Sequence, residues 1–307
     1  MYDLVIIGGG PAGVAAGVYA ARKKIKTILI TDAFGGQSVV SDEIQNFIGL
    51  KSVSGLELAQ MMEEHLRAQE EIEIVFPDRA VKLEARPEGG FFVATEGGKE
   101  FFAKTVLLAS GGRRRKLGVP GEAEFEGRGV AYCSTCDAPV FKNKTVAVIG
   151  GGNSGLEAVV DLFPYASKIY LILRRGEARG DPATFEKIKT NPKTEIIPFA
   201  ETLAVTGDKF VSGLKYRDLN SGAEKELPVD GVFIEIGYVP NTDLARGLVD
   251  LNAVGEVVVN HKTFASSREG IYAAGDVSDV LYKQNNISMG DAVKAVLSVY
   301  DYLKRGR

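Results

Sequence analysis

Both cysteines of this 307-residue chain lie in one C-x-x-C motif, Cys133 and Cys136, and Asp137 follows the motif directly. A tetrahedral zinc site would need two further ligands, and the two histidines, His65 and His261, lie far from the motif without zinc-finger spacing. The motif therefore predicts thiol–disulfide chemistry and no metal site. A local structural disulfide and a pair of buried thiols stay open as alternatives, because C-x-x-C is a short pattern.

A glycine-rich turn near the N-terminus predicts a dinucleotide site. An apolar run at 2–7 leads into glycines 8, 10 and 13 of a G-x-G-x-x-G pattern, and a second apolar run ends at Asp32, 19 residues after Gly13. The glycines let the backbone approach a pyrophosphate, and the following helix supplies free N–H groups. The carboxylate can accept hydrogen bonds from a ribose diol. The spacing thus fits a complete Rossmann unit.

The same unit recurs after the cysteine motif. A strand pattern at 145–149 is followed by Gly150, Gly152 and Gly155, a helix pattern, and a further strand pattern at 168–173. The chain therefore encodes two dinucleotide sites.

The second site differs from the first where nucleotide specificity is set. No carboxylate ends its strand, and Arg174, Arg175 and Arg179 follow instead. Guanidinium groups suit a 2'-phosphate, which a carboxylate would repel, so this unit is predicted to prefer NADPH to NADH. A solvated charged turn is the alternative interpretation.

The composition is that of an ordinary globular protein, with 45% hydrophobic and 25% charged residues and room for two domains. The net charge of -3 gives no positive field for nucleic acid or anionic lipid, so neither partner is expected. The apolar segment 1–21 is interrupted by five glycines and reads as strand, turn and helix, so neither a signal peptide nor a membrane span is expected. A dithiol of this kind suits a reducing cytoplasm.

Eleven motifs, in the same order along the chain, resemble those of the low-molecular-weight thioredoxin reductases and of the reductase portion of alkyl hydroperoxide reductase flavoproteins. They are GGGPAG at 8–13, FGGQ at 34–37, QNFIG at 45–49, ASGG at 109–112, VPGE at 119–122, GVAYCSTCD at 129–137, VAVIGGGNSGLEA at 146–158, RRGEAR at 174–179, GYVPNT at 237–242, AAGD at 273–276 and YKQ at 282–284. The similarity covers nearly the whole chain.

The resemblance implies an α/β fold with two Rossmann-like, three-layer dinucleotide-binding domains, the NADPH domain being inserted into the FAD domain. The FAD domain would comprise residues 1–113 and 243–307, and the NADPH domain, with the C-x-x-C motif, residues 114–242. Turn residues at both junctions could act as hinges for domain rotation.

The resemblance also assigns cofactor contacts by position. Contacts to the adenine half of FAD would come from Gly8, Gly10, Pro11, Ala12, Gly13 and Asp32. Contacts along its ribityl chain and ring would come from Gly36, Gln37, Asn46, Gly275, Asp276, Lys283 and Gln284. The NADPH pyrophosphate would face Gly152, Asn153 and Ser154, and its 2'-phosphate Arg174, Arg175 and Arg179.

The activity implied is NADPH-dependent thioredoxin-disulfide reduction, with electrons passing through FAD and the cysteine pair to thioredoxin or a glutaredoxin-like dithiol protein. Cys136 would be the sulfur nearer the flavin, and Cys133 would attack the substrate. Asp137 would exchange the proton, with a helix cap as the alternative role. The family further implies a homodimer.

The sequence departs from the family pattern at three places. Leu173 stands where these reductases often have histidine, and Asp291 and Ala292 follow Gly290 where the family often has Thr-Gly or Glu-Gly. Pro139 and Val140 replace an aromatic pair at the expected thioredoxin docking segment, which leaves the partner open. One alternative is therefore the electron-donor flavoprotein of a peroxiredoxin or glutaredoxin-like peroxide-removal system. A non-catalytic flavin redox sensor that uses the same cysteines is a further alternative.

Overall fold

The computed structural model describes residues 1–41 and 43–305. The chain divides into two compact units, and the second is inserted into the first. The first unit comprises Met1–Arg113 and Val239–Arg307, and the second comprises Arg114–Tyr238. The assignment of FAD to one unit and NADPH to the other stays a prediction.

The first part of the first unit alternates strands and helices as the glycine pattern predicts. Its strands are β1 (Tyr2–Gly9), β2 (Thr27–Phe34), β3 (Ile72–Val75), β4 (Ala80–Ala85), β5 (Phe91–Thr95) and β6 (Glu100–Leu108), followed by the short connecting strand β7 (Gly112–Arg114). Its helices are α1 (Pro11–Arg22) and α2 (Gly55–Arg67), with a 3-10 turn at Gly36–Val40.

The second unit repeats the alternation and adds an antiparallel sheet. Its strands are β8 (Val130–Ala131), β9 (Thr145–Ile149), β10 (Lys168–Ile172), β11 (Thr194–Ile197), β12 (Ala200–Gly207), β13 (Val211–Asp218), β14 (Glu224–Pro228) and β15 (Gly231–Ile234). The short connecting strand β16 (Tyr238–Pro240) begins at the last residue of this unit and ends in the first unit. Its helices are α3 (Ser134–Asp137), α4 (Asn153–Leu162) and α5 (Pro182–Lys189), with a 3-10 turn at Ala138–Phe141.

The chain then returns to the first unit and completes it. The returning segment contains a 3-10 turn at Asp243–Ala245, β17 (Ile271–Ala273), a second 3-10 turn at Gly275–Val277 and the long helix α6 (Asn285–Arg305). Strand β17 pairs with β6 in parallel, and α6 packs against α1. The first unit is therefore built from both ends of the chain.

The main sheet of the first unit has seven strands in the order β3-β2-β1-β6-β5-β4, with β17 also on β6. Strands β1, β2, β3, β6 and β17 run parallel, whereas β4, β5 and β6 form an antiparallel meander. The apolar residues of β1 are almost completely buried, as expected for a parallel strand covered on both faces.

The second unit has a five-stranded parallel sheet in the order β11-β10-β9-β15-β8 and a three-stranded antiparallel sheet, β12-β13-β14. Its glycine-rich turn follows β9, the central strand of the parallel sheet. Ligands of such sheets bind beyond the carboxyl ends of the strands, and this is where the turn lies.

Candidate active site

The two cysteines form a disulfide, with 5.4 Å between their Cα atoms. Cys133 directly precedes the short helix α3 and is partly buried, whereas Cys136 lies within that helix and is exposed. Thiol–disulfide exchange requires that an attacking thiolate can reach a sulfur atom. An exposed Cys136 is consistent with exchange and is not what a buried structural bridge would show.

Asp137, the last residue of α3, is the acidic group next to this disulfide. Burial raises the pKa of its carboxyl to about 6, although the charge of Arg114 lowers it. Within the described part of the chain, its side chain makes no capping hydrogen bond to the 3-10 turn that follows. The carboxyl is therefore available to hold and release a proton near neutral pH, which favours the proton-transfer role over the cap.

A second buried carboxyl near the motif was missed by the sequence analysis. Glu235 follows β15, and burial raises its pKa to about 7 against the lowering effect of Arg114 and of the Ser134 backbone N–H. The signal in the sequence was a charged residue placed directly after the apolar run at 231–234.

The second unit contains a cavity of about 450 Å³ at its glycine-rich turn. Its walls include the turn itself, the ends of β9 and β10, and all three arginines predicted to bind the 2'-phosphate. The lining includes the glycines Gly150, Gly151 and Gly152, the three arginines Arg174, Arg175 and Arg179, and the acidic residues Glu177 and Glu201. A volume of this size falls within the range of small-ligand sites.

The arginines share this cavity with acidic groups. Arg174 donates to Glu201 at 2.8 Å and its side chain is 77% exposed, so a phosphate could compete with Glu201 for the guanidinium. The backbone N–H of Arg179 donates to the carbonyl of Gly151 at 2.6 Å, which fixes the arginine segment against the glycine turn.

The predicted pyrophosphate residues of the second unit lie at the start of α4. Gly152 is the residue before the helix and has no side chain to cap it, so the first N–H groups remain free for an anion. Ser154 is exposed, and Asn153 accepts a hydrogen bond from the Asp181 N–H at 2.8 Å. These features fit a nucleotide pyrophosphate.

We expect two alanine substitutions in this turn to have different consequences. A Cβ on Gly152 would have no described heavy atom within 4 Å, whereas a Cβ on Gly155 would lie 2.2 Å from the carbonyl oxygen of Gly150. Gly152→Ala should keep the melting temperature but weaken NADPH binding about tenfold or more, since the methyl group occupies the approach of the pyrophosphate. Gly155→Ala should lower the melting temperature. NADPH titration and thermal melts of both variants test this, and unchanged NADPH affinity in Gly152→Ala would contradict it.

The glycine turn of the first unit has the same construction. Gly10 directly precedes α1 and, like Gly152, has no side chain to cap the helix, and Pro11 is the first residue of α1. A Cβ on Gly13 would lie only 1.8 Å from the carbonyl oxygen of Gly8. A Cβ on Gly10 would approach only the backbone of Gly36, at 3.7 Å. Gly13 therefore leaves no room for a side chain, whereas Gly10 leaves room up to the backbone of Gly36, which is compatible with the close approach of a pyrophosphate.

Several further predicted FAD residues contact each other or the glycine turn. The Gly275 turn packs against Ala12, 3.1 Å from where a Cβ would lie, and Asp276 accepts a hydrogen bond from Ser288. Asn46 donates to Gln284 at 3.3 Å. Asp32 is exposed in the last part of β2.

Two side chains predicted to contact the flavin ring, Gln37 and Lys283, interact with other protein groups in this structure. Gln37 donates to the carbonyl of Gly112. Lys283 forms an ion pair with Glu256 at 2.9 Å. Taken with the glycine turns, the donor set of the first unit fits FAD, and the roles of the individual residues stay predictions.

A family model described as pyridine nucleotide-disulphide oxidoreductase matches residues 2–296. The chain belongs to this family. The family implies FAD and a nicotinamide nucleotide as cofactors.

Solved structures confirm the predicted fold class. Thioredoxin reductase from Streptococcus pyogenes MGAS5005 is 33% identical and superimposes with a TM-score of 0.93, covering 99% of each chain. Thioredoxin reductase from Giardia duodenalis is 27% identical with a TM-score of 0.92, also over 99% of each chain.

The curated relatives carry other names. A protein of Pseudomonas putida that is named as one of the subunits of alkyl hydroperoxide reductase is 43% identical over 306 residues. NADH dehydrogenase of Bacillus subtilis is 41% identical over 304 residues. The matches cover 99% of this chain but only 58% and 59% of those proteins.

Among the described residues, no helix combines the length and the apolar character needed to cross a membrane.

Proposed function

We propose that this chain is an NADPH-dependent flavoprotein that reduces the disulfide of thioredoxin or of a similar small dithiol protein. The observation that carries the proposal is the Cys133–Cys136 disulfide, with exposed Cys136 and with Asp137 of raised pKa beside it. The same unit holds the cavity with three arginines. FAD and NADPH would supply the two electrons that convert this disulfide to a dithiol.

The chain's own residues then carry the exchange. One thiolate of the reduced pair attacks the partner's disulfide and forms a mixed disulfide, and the neighbouring sulfur resolves it, so that the partner leaves as a dithiol and the Cys133–Cys136 bond forms again. Two electrons and two protons pass to the partner. Asp137 is placed to protonate a departing thiolate, because its pKa of about 6 lets both forms of the carboxyl exist near neutral pH.

The proposal is tested by NADPH-dependent reduction of a thioredoxin disulfide, followed as dye-disulfide colour or as NADPH consumption. Rapid anaerobic bleaching of the flavin by NADPH should accompany turnover. A protein that binds FAD but turns over slowly with every disulfide offered would instead be the redox sensor.

A second candidate function is electron donation to a peroxide-removing protein. The 43% identity to the Pseudomonas putida relative named after alkyl hydroperoxide reductase favours it, as do Pro139 and Val140 after the C-x-x-C motif. Turnover with peroxide, NADPH and a peroxiredoxin, but not with thioredoxin, would select this candidate. The homodimer and the cytoplasmic location stay predictions.

The preference for NADPH is expected to depend on Arg175 and Arg179. A charge-assisted hydrogen bond to phosphate contributes about 1.5–3 kcal/mol, so Arg175→Ala or Arg179→Ala should lower kcat/KM for NADPH by roughly tenfold to a hundredfold. The value for NADH should change little. Glu201→Gln should raise kcat/KM for NADPH, because loss of the Glu201 charge weakens its hold on Arg174 and leaves the guanidinium for the phosphate.

The measurement is steady-state kinetics with both nucleotides and ferricyanide as electron acceptor. Arg128→Ala is the matched control, since Arg128 is an exposed arginine of the same unit that donates to the carbonyl of Glu124. Equal losses with NADPH and NADH in the Arg175 and Arg179 variants would contradict the assignment.

A further inference from the structure

A second cavity lies in the first unit, and most of the charged side chains that line it are cationic. Its volume is about 500 Å³, and its walls come from the start of β1, the C-terminal end of α1 and the last turns of α6. Its charged lining residues are Asp3, Arg22, Lys23, Lys24 and Lys304. The glycine-rich turn of this unit precedes α1, at the opposite end of that helix, so the cavity is separate from the predicted FAD turn.

The carboxylates near this cavity leave most of its positive charge unpaired. Asp3 is paired at 2.7 Å with Lys104, which does not line the cavity. Lys24 pairs with Glu71 at 3.6 Å, but both side chains are more than half exposed, so this ion pair is weak. The other cations form no ion pair with any residue of 1–41 and 43–305, and they are Arg22, Lys23 and Lys304. The cavity therefore presents a net positive charge.

Two of these lysines are held against one aromatic ring. The Lys23 Nζ atom lies 5.0 Å from the centroid of the Tyr300 ring, and the Lys304 Nζ atom lies 4.2 Å from the same centroid. Lys23 directly follows α1 and Lys304 belongs to the last turn of α6, so the two charges come from different helices. The ring attracts each ammonium group, but the two groups repel each other. An anion between them would interact favourably with both.

The attraction of cations to helix C-termini accounts for only part of this arrangement. It favours a lysine at the end of either helix, but not the meeting of cations from two helices in one cavity. The last carbonyls of α1 also have backbone partners, because the Lys23 N–H donates to Tyr19 at 3.0 Å and the Lys24 N–H donates to Ala21 at 2.8 Å. The lysine side chains are therefore not needed to cap α1, and their ammonium groups are left for a ligand.

We propose that this cavity binds a multiply charged phosphate group, either inorganic pyrophosphate or the diphosphate of a nucleotide, through Arg22, Lys23 and Lys304. Ammonium and guanidinium groups donate charge-assisted hydrogen bonds to phosphate oxygens. The volume of the cavity falls within the range of small-ligand sites, so both sources of the diphosphate are considered. The ligand is bound without any bond being made or broken, and the proposal does not depend on the disulfide-reductase function.

The test is fluorine NMR of the full flavin-loaded chain labelled with 3-fluorotyrosine, titrated with inorganic pyrophosphate at constant ionic strength. Tyr300→Phe identifies the Tyr300 signal, which reports on this cavity and not on the two predicted dinucleotide sites. We expect the signal to shift and to saturate, because the anion draws the ammonium groups away from the ring. An unmoved signal would overturn the proposal, as would an equal shift with sodium chloride at increasing ionic strength.

Lysine variants show whether the anion is held by the residues named. Lys23→Gln and Lys304→Gln should each raise the midpoint of the pyrophosphate titration by about tenfold, and the double variant should raise it further. The matched control is Lys82→Gln/Lys262→Gln, which also removes two positive charges, from exposed positions of the first unit outside the cavity lining. Its midpoint should stay within about twofold of the wild type. Equal weakening in the control and in the Lys23/Lys304 double variant would show a response to net charge alone and would refute the site.

Titration with ADP, followed by the same Tyr300 signal, separates the two sources of the diphosphate. A lower midpoint with ADP than with pyrophosphate assigns a nucleotide as the ligand, because the nucleoside then adds contacts. An equal or higher midpoint assigns the free diphosphate, and both results support the cavity as an anion site. Neither titration measures NADPH oxidation or disulfide reduction, so this proposal can fail while the proposed function holds, and the reverse.

Discussion

Cys133→Ser and Cys136→Ser should each lower NADPH-dependent reduction of thioredoxin disulfide by about a thousandfold or more, because one variant lacks the sulfur that attacks the partner and the other lacks the sulfur that resolves the mixed disulfide. Reduction of the flavin by NADPH should stay within about twofold of the wild-type rate, since the nucleotide site does not use the sulfurs. Steady-state turnover and anaerobic stopped-flow absorbance measure the two quantities. Substantial thioredoxin turnover in either variant would contradict the proposed role of the pair.

The same variants identify the attacking sulfur. The family resemblance assigns the attack to Cys133, so Cys136→Ser should trap thioredoxin as a stable mixed disulfide and Cys133→Ser should not. The structure shows Cys136 as the more exposed of the two, which by itself would favour the opposite order. Non-reducing electrophoresis of both variants with oxidised thioredoxin separates these outcomes, and a band with Cys133→Ser alone would reverse the assignment.

The sequence specified the features that depend on local backbone chemistry. The glycines at 8, 10, 13, 150, 152 and 155 predicted two strand–turn–helix units, because a side chain at these positions would block the tight turn or the approach of a pyrophosphate. The structure shows both units at the expected positions. The cysteine motif predicted the disulfide because its two residues are only three positions apart. The spacing of residues along the chain is enough to predict a feature when the residues that form it are close in sequence.

Contacts between distant parts of the chain could not be read in this way. Glu235 and Arg114 are 121 positions apart, and Glu235 lies near the cysteine turn because β15 pairs in parallel with β8, the strand that precedes this turn. The Glu201 partner of Arg174 comes from the antiparallel sheet β12-β13-β14, which the strand patterns did not predict. Charges at the ends of apolar strands signal such groups, but the partner depends on topology.

The second large effect expected is the loss of flavin from Gly13→Ala. The added methyl carbon would lie 1.8 Å from the Gly8 carbonyl oxygen, so the turn between β1 and α1 would have to open. An opened turn moves the first N–H groups of α1 away from the position at which a pyrophosphate would bind. The purified variant should therefore be nearly colourless, with the ratio of 450 nm to 280 nm absorbance reduced by about tenfold.

Gly290→Ala is the matched control, because Gly290 belongs to the same unit, lies within α6 and has no described heavy atom within 4 Å of an added Cβ. Its flavin content should equal that of the wild type, and an alanine there should if anything stabilise the helix. The second unit of Gly13→Ala should remain folded, since its core clusters contain no residue of the first unit. A yellow Gly13→Ala protein with full flavin content would show that FAD does not bind at this turn, and the assignment of the first unit would fall with it.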